Sequence, residues 1–119
     1  MKRLPFFFLA FSGALGCFLS FGAKEAKLDS LEAQIKKLNS QIKCKNDDDC
    51  IAIEFGHKPC GGPKSYLISS KLNSNLSKII SLSKDYSAKE KKIHQEGDVF
   101  STCDFVEKPQ IKCSKGICR

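Results

Sequence analysis

Six cysteines, at positions 44, 50, 60, 103, 113 and 118, are separated by 5, 9, 42, 9 and 4 residues. An even set of this density in a short chain constrains folding more than any apolar stretch. It reads as three disulfides formed in an oxidising compartment. No C-x2-C pair occurs, and the histidines are only His57 and His94. That spacing suits neither a zinc site nor a redox pair, so no metal ligand and no cofactor are expected. The near-mirror spacing favours a Cys60–Cys103 bridge closing the long middle segment. Two arrangements stay open for the rest: local bridges Cys44–Cys50 and Cys113–Cys118, or a nested ladder of Cys50–Cys113 and Cys44–Cys118. With Lys115-Gly116 as a two-residue turn, Cys113 and Cys118 face each other on a hairpin.

The seventh cysteine, Cys17, belongs to a different segment. Lys2 and Arg3 precede an uncharged apolar run over residues 4–21, which Lys24, Glu25 and Lys27 end. A basic start, an apolar run and small residues (Ser20, Gly22, Ala23) read as a secretory signal peptide over 1–22. A membrane-spanning helix of similar length is the competing reading. Two processing routes are open. Ordinary cleavage near Gly22 or Ala23 explains the length of the run. Cleavage before Cys17, in Ala14-Leu15-Gly16-Cys17, would leave a lipid on that cysteine. Loss of Lys2 and Arg3 lowers the formal charge from +7 to +5. The remainder of a 119-residue chain supports one small domain, which excludes a multidomain enzyme. With 41% hydrophobic and 28% charged residues, it is also not a wholly disordered chain.

Along the exported part, Leu28, Leu31, Ile35, Leu38 and Ile42 repeat at alternating steps of three and four, which predicts an amphipathic helix over 24–43. Its seam is expected either to lie on the domain's own core or to support self-association. Asp47, Asp48 and Asp49 lack calcium-loop spacing and read as a solvated turn. Residues 51–55 predict a core strand. His57, Lys58, Pro59, Cys60, Gly61, Gly62 and Pro63 then make a stiff loop, which Tyr66, Leu67 and Ile68 are expected to anchor to the core. A second helix is expected over 69–95, with Leu72, Leu76, Ile79, Ile80, Tyr86 and Ile93 on its apolar face. Its serines lower helix propensity, and Gly97 stops it. Extended chain is expected at Val99, Phe100, Phe105 and Val106, and a hairpin over 111–119. The expected fold is α+β, two helices packed on a small antiparallel sheet, stabilised by disulfides. Residues 44–119 form the disulfide-rich domain.

The acidic turn between two cysteines, the run Cys60-Gly61-Gly62-Pro63-x-x-Tyr66-Leu67 and the closing Cys103, Pro109, Cys113 and Cys118 occur together. The combination, over residues 44–119, resembles a group of small exported bacterial proteins of uncharacterised function. Cys-Gly-Gly-Pro-x-x-Tyr is its most specific part. The resemblance implies export, disulfides and one compact domain, and nothing about mechanism.

The function expected from these features is a small non-catalytic binding or inhibitory module of the cell envelope, periplasmic or at the cell surface. Its candidate recognition loop comprises His57, Lys58, Pro59, Gly61, Gly62, Pro63 and Tyr66, because a stiff loop loses little entropy on binding. The alternative is an envelope protein with a structural or oligomerising role, anchored by lipid at Cys17. An enzyme ranks last. His57 with Asp48 or Glu54 is the acid–base pair that can be drawn, and no nucleophile sits in an activating motif. The expected partner is an envelope protein or surface. The spread of the lysines gives no support for nucleic acid, and membrane contact is expected only through the leader or a lipid.

Overall fold

The computed structural model describes residues 19–97 and 102–119. Cys17, most of the leader, Val99 and Phe100 lie outside the described residues. The order is α1 (Leu19–Leu38), a 3-10 turn (Asp47–Asp49), β1 (Cys50–Phe55), β2 (Ser65–Ser70), α2 (Leu76–Glu96), β3 (Cys113–Ser114) and β4 (Ile117–Cys118). The fold is α+β, with two helices and a small antiparallel sheet cross-linked by three disulfides.

β-branched and aromatic residues suit β1 to a half-buried pleated surface. It pairs antiparallel with β2, setting Ile53 opposite Leu67, Glu54 opposite Tyr66 and Phe55 opposite Ser65. Side chains alternate faces, so Ile53 and Phe55 are buried while Glu54 points to solvent. The same alternation divides the three residues expected to anchor the loop. Leu67 packs on the core, and Tyr66 and Ile68 fall on the other face.

α2 lies between the sheet and α1, packing on β1 and on α1. Ile35 of α1 and Ile79 of α2 are both fully buried and join Ile53, Phe55 and Tyr86 in the core. Burial of each isoleucine stabilises the fold by about 2–3 kcal/mol. Leu28, Leu31 and Leu38 also pack on this cluster. The heptad seam of α1 therefore faces the molecule's own core. Among the described residues no helix is long and apolar enough to cross a membrane.

Both helices differ in extent from the sequence pattern, and side chains from elsewhere explain why. α1 ends at Leu38, not at residue 43. Asn73 Nδ2 donates to the carbonyls of Leu38 (3.0 Å) and Gln41 (3.2 Å), and Asn39 Nδ2 donates to the Ile68 carbonyl at 2.7 Å. The bond to Leu38 satisfies a carbonyl that the helix end leaves open, and the other two tie the chain beyond it to β2 and to the turn before α2. Ile42 then runs beside β4, its carbonyl accepting the Cys118 N–H at 2.9 Å. α2 begins at Leu76 rather than Ser69, because Ser69 and Ser70 complete β2. Leu72, expected on the apolar face, lies in the connecting turn and is half exposed. Phe105 and Val106 belong to an irregular segment and are exposed.

The terminal hairpin forms as its turn dictates. Lys115 and Gly116 both adopt positive φ, 53° and 76°, as a two-residue primed turn requires. Cys113 and Cys118 are directly opposed, yet they do not bond to each other. The bridges are Cys44–Cys113, Cys50–Cys118 and Cys60–Cys103, with Cα separations of 5.9, 5.6 and 5.5 Å, all ordinary for disulfides. The Cys60–Cys103 expectation agrees with the structure. Neither arrangement expected for the other four cysteines does. The sulfurs of Cys44, Cys50 and Cys118 lie within 4.8 Å of one another, so orientation rather than reach selects the partners. Several bonds hold the hairpin in its orientation: Asp47 Oδ1 accepts the Cys113 N–H at 2.7 Å, fastening β3 to the acidic turn, and the Gly116 carbonyl accepts the Cys44 N–H at 3.0 Å. Asp49 Oδ2 closes the turn by accepting the Lys45 N–H at 2.8 Å. The acidic turn thus makes structural bonds as well as meeting solvent.

Candidate functional site

The 56–63 loop leaves the end of β1 and is laid along one stripe of α2. Tyr86, Glu90 and His94 are spaced by four and share a helix face. Phe55 stacks on Tyr86, with ring centroids 4.5 Å apart and planes 15° apart. The His57 N–H donates to Glu90 Oε1 at 3.3 Å. The His57 ring tilts against that of His94, at a centroid distance of 5.9 Å. Successive residues of the chain leaving β1 thus meet successive turns of α2.

Gly56 is required at the pivot. Its φ of 76° is the left-handed region that glycine tolerates. A Cβ there would also lie 2.8 Å from Lys64 Cβ and 3.5 Å from Glu90 Oε1. Beyond the pivot the loop closes on itself, with Gly61 N–H bonded to the Lys58 carbonyl at 2.9 Å and Lys58 N–H to that of Gly62 at 3.0 Å. Lys58 Nζ donates to the Asp104 carbonyl, and the Cys60–Cys103 bridge ties the loop to the same segment. Gly61 and Gly62 project at the tip, with open space where side chains would stand.

Between the loop and α2 lies a cleft of about 290 Å³, lined by His57, Lys58, Pro59, Lys64, Glu90 and His94, with Thr102 at its edge. Glu90 is only 5% exposed, and Lys64 Nζ approaches its Oε1 at 3.9 Å. The Nδ1 atoms of His57 and His94 are buried and have no hydrogen-bond partner among the described residues. Burial holds the His57 pKa below the ordinary imidazole value, Lys91 and His94 add to this, and Glu90 opposes them. The ring is therefore biased toward its neutral form.

One turn earlier, Tyr86 Oη donates to Glu32 Oε2 of α1 at 3.4 Å, and Lys36 meets Glu32 at 2.7 Å. Burial, with Glu90 and Glu32 nearby, raises the Tyr86 pKa. Lys36 holds the Glu32 carboxyl below its usual value.

Of the residues expected in the recognition loop, His57, Lys58 and Pro59 line the cleft and Gly61 and Gly62 form the tip. Pro63 is half-buried behind them, and Tyr66 lies on β2 opposite Glu54, outside the cleft. The carboxylate beside His57 is Glu90, rather than Asp48 or Glu54. Glu90 and His94 were not expected. Glu90 had a legible signal, because it falls within the stripe that Ile79, Tyr86 and Ile93 mark on α2. A second cleft, of about 310 Å³, separates the N-terminal part of α1 from the end of α2 and carries Lys24, Lys27, Lys89 and Lys92 around Leu28 and Ile93. Lys24 there pairs with Glu96 at 2.9 Å.

Cys44, Cys50 and Cys118 are close enough to share a metal ion, but all are held in disulfides and none offers a thiolate. Compared with known proteins, the chain matches no family model, no curated protein and no solved structure. Three disulfides are the chemistry of an oxidising, extracytoplasmic compartment.

Proposed function

We propose that this chain is an exported, non-catalytic binding or inhibitory module of the cell envelope, and that the tip of the 56–63 loop meets its partner. The carrying observation is the way the loop is held. A disulfide, two internal backbone bonds, the Lys58–Asp104 contact and the seat on Glu90 restrain it, while Gly61 and Gly62 project freely. Such a loop has little conformational entropy left to lose on association. The test compares the parent chain with a Lys58→Ala, Pro63→Ala variant as bait in an envelope extract. A protein retained by the parent and lost by the variant supports the proposal. Identical captured sets overturn it.

A second reading, a lipid-anchored structural protein held through Cys17, has one observation in its favour. Lys24 and Lys27, close in sequence to the apolar leader, line a cleft with Lys89 and Lys92 of α2, and basic residues next to an anchor favour anionic lipid. Detergent-phase partitioning that disappears in Cys17→Ala supports this reading, and a mature N-terminus near Ala23 ends it.

A further inference from the structure

We propose that His57 closes an acid-released clasp against His94: with its ring neutral it seals the 56–63 loop onto α2, and its protonation lets the loop lift away. The geometry has three parts. The rings stand 5.9 Å apart, one on the loop and the other on the helix. Both Nδ1 atoms are buried without a partner among the described residues, so neither nitrogen has an acceptor there to stabilise an added proton. The loop's direct bond to this stripe is the His57 N–H on Glu90, which a small separation would break.

The surrounding charges favour release. Lys58 and Lys64 face the cleft from the loop side and Glu90 from α2, with Lys91 on the adjoining side. Glu25 and Asp29 of α1 reach the neighbouring opening beside His94. The 102–110 segment contributes the Asp104 carbonyl, already taken by Lys58. Three lysines thus surround one buried carboxylate, and an imidazolium at His57 would add a like charge beside them. Glu90 is the carboxylate that opposes this at His57, and burial, Lys91 and the His94 ring outweigh it.

The direction of the pH effect follows from the lowered His57 pKa. The released ring binds protons more readily than the docked one. Docking is therefore complete above the ordinary value of 6.5. It weakens as pH falls from there through the lowered docked value, below which both forms are protonated and no further loss accrues. The Cys60–Cys103 bridge keeps the lifted loop tethered, so the change is local and reversible. If the loop also recognises a partner, as proposed above, capture then differs between neutral and acid conditions; the clasp itself does not depend on that reading.

The test uses the isotope-labelled full-length chain with its disulfides intact, over about pH 7.5 to 5. The His57 and His94 ring signals and the exchange protection of amides 56–64 are followed together. The expected result is a His57 midpoint below that of free imidazole, with loop protection falling in step. The loss should be about tenfold for each unit by which the docked midpoint is lowered. Lys91→Gln, an exposed substitution, should raise the His57 midpoint and move loop opening with it; His94→Gln should do the same through the ring partner. Loop amides that stay protected through the His57 titration overturn the clasp. So does a Lys91→Gln chain whose ring midpoint moves while opening does not. Because these readouts need no partner, failure of the clasp and failure of the recognition reading are separately visible.

Discussion

The two bridges at the hairpin should be strongly interdependent. Cys44–Cys113 and Cys50–Cys118 span 69 and 68 residues. Taken alone, either would stabilise the fold by about 4.4 kcal/mol through the loop entropy it removes from the unfolded chain. They close nearly the same loop, however. Once one is formed, the other completes a ring of only about a dozen residues, made of the stretches between Cys44 and Cys50 and between Cys113 and Cys118, and adds about 2.8 kcal/mol. Replacing either pair by alanine should therefore cost about 3 kcal/mol. Replacing both should cost about 6 kcal/mol, because the retained Cys60–Cys103 bridge already shortens the loop that the first of them closes; that loss is comparable with the whole stability of a small domain. Alanine is the suitable replacement because Cys44 and Cys118 are buried and a serine hydroxyl would add an unsatisfied polar group. Urea unfolding of the three variants measures this. The double variant should lack a cooperative transition, while each single-bridge variant keeps one at lower urea. Single-bridge losses of 4.4 kcal/mol or more, or a double variant that still unfolds cooperatively, would refute the shared-loop reasoning.

Other perturbations test the packing and the site. Ile79→Ala removes a fully buried side chain at the meeting of α2 and the core and should cost about 2–5 kcal/mol in denaturant unfolding. Gly56→Ala forces a Cβ to within 2.8 Å of Lys64 Cβ at a positive φ; a loss of about 1–3 kcal/mol is expected, with resonance shifts concentrated at His57 and Glu90. Alkaline pH should also be destabilising. The Tyr86 pKa is raised in the fold, so the unfolded chain gives up its proton first. Stability then falls as pH rises above the ordinary tyrosine value of 10. Tyr86→Phe should flatten that alkaline limb, seen as unfolding midpoints that no longer drop between about pH 10 and 11.

Much of the local structure can be read from neighbouring residues. The 51–55 strand follows from its β-branched and aromatic content, the closing hairpin from Lys115-Gly116, and the inward face of α1 from the spacing of Leu28, Leu31, Ile35 and Leu38. The candidate site is only half legible. The loop announces itself through Pro59, Gly61, Gly62 and Pro63, whereas its seat on α2 does not. Glu90 sits 33 residues from His57, and nothing in the local sequence says which turn of the helix the loop will reach. The helix ends were missed for a related reason. Asn73, 35 residues from Leu38, stops α1 where the heptad pattern alone would carry it onward.

Composition and pattern by themselves establish an α+β chain with paired cysteines and a stiff glycine–proline loop, because each of those properties depends on residues a few positions apart. Tertiary structure alone decides how the four cysteines other than Cys60 and Cys103 join, where the helices stop, and that a buried carboxylate and a second histidine close over His57. Those outcomes depend on orientation between distant segments. Three sulfurs within 4.8 Å of one another offer several pairings at similar reach, and the bonds that seat the hairpin, from the Cys113 N–H to Asp47, the Cys118 N–H to the Ile42 carbonyl and the Cys44 N–H to the Gly116 carbonyl, fix how the distant segments meet.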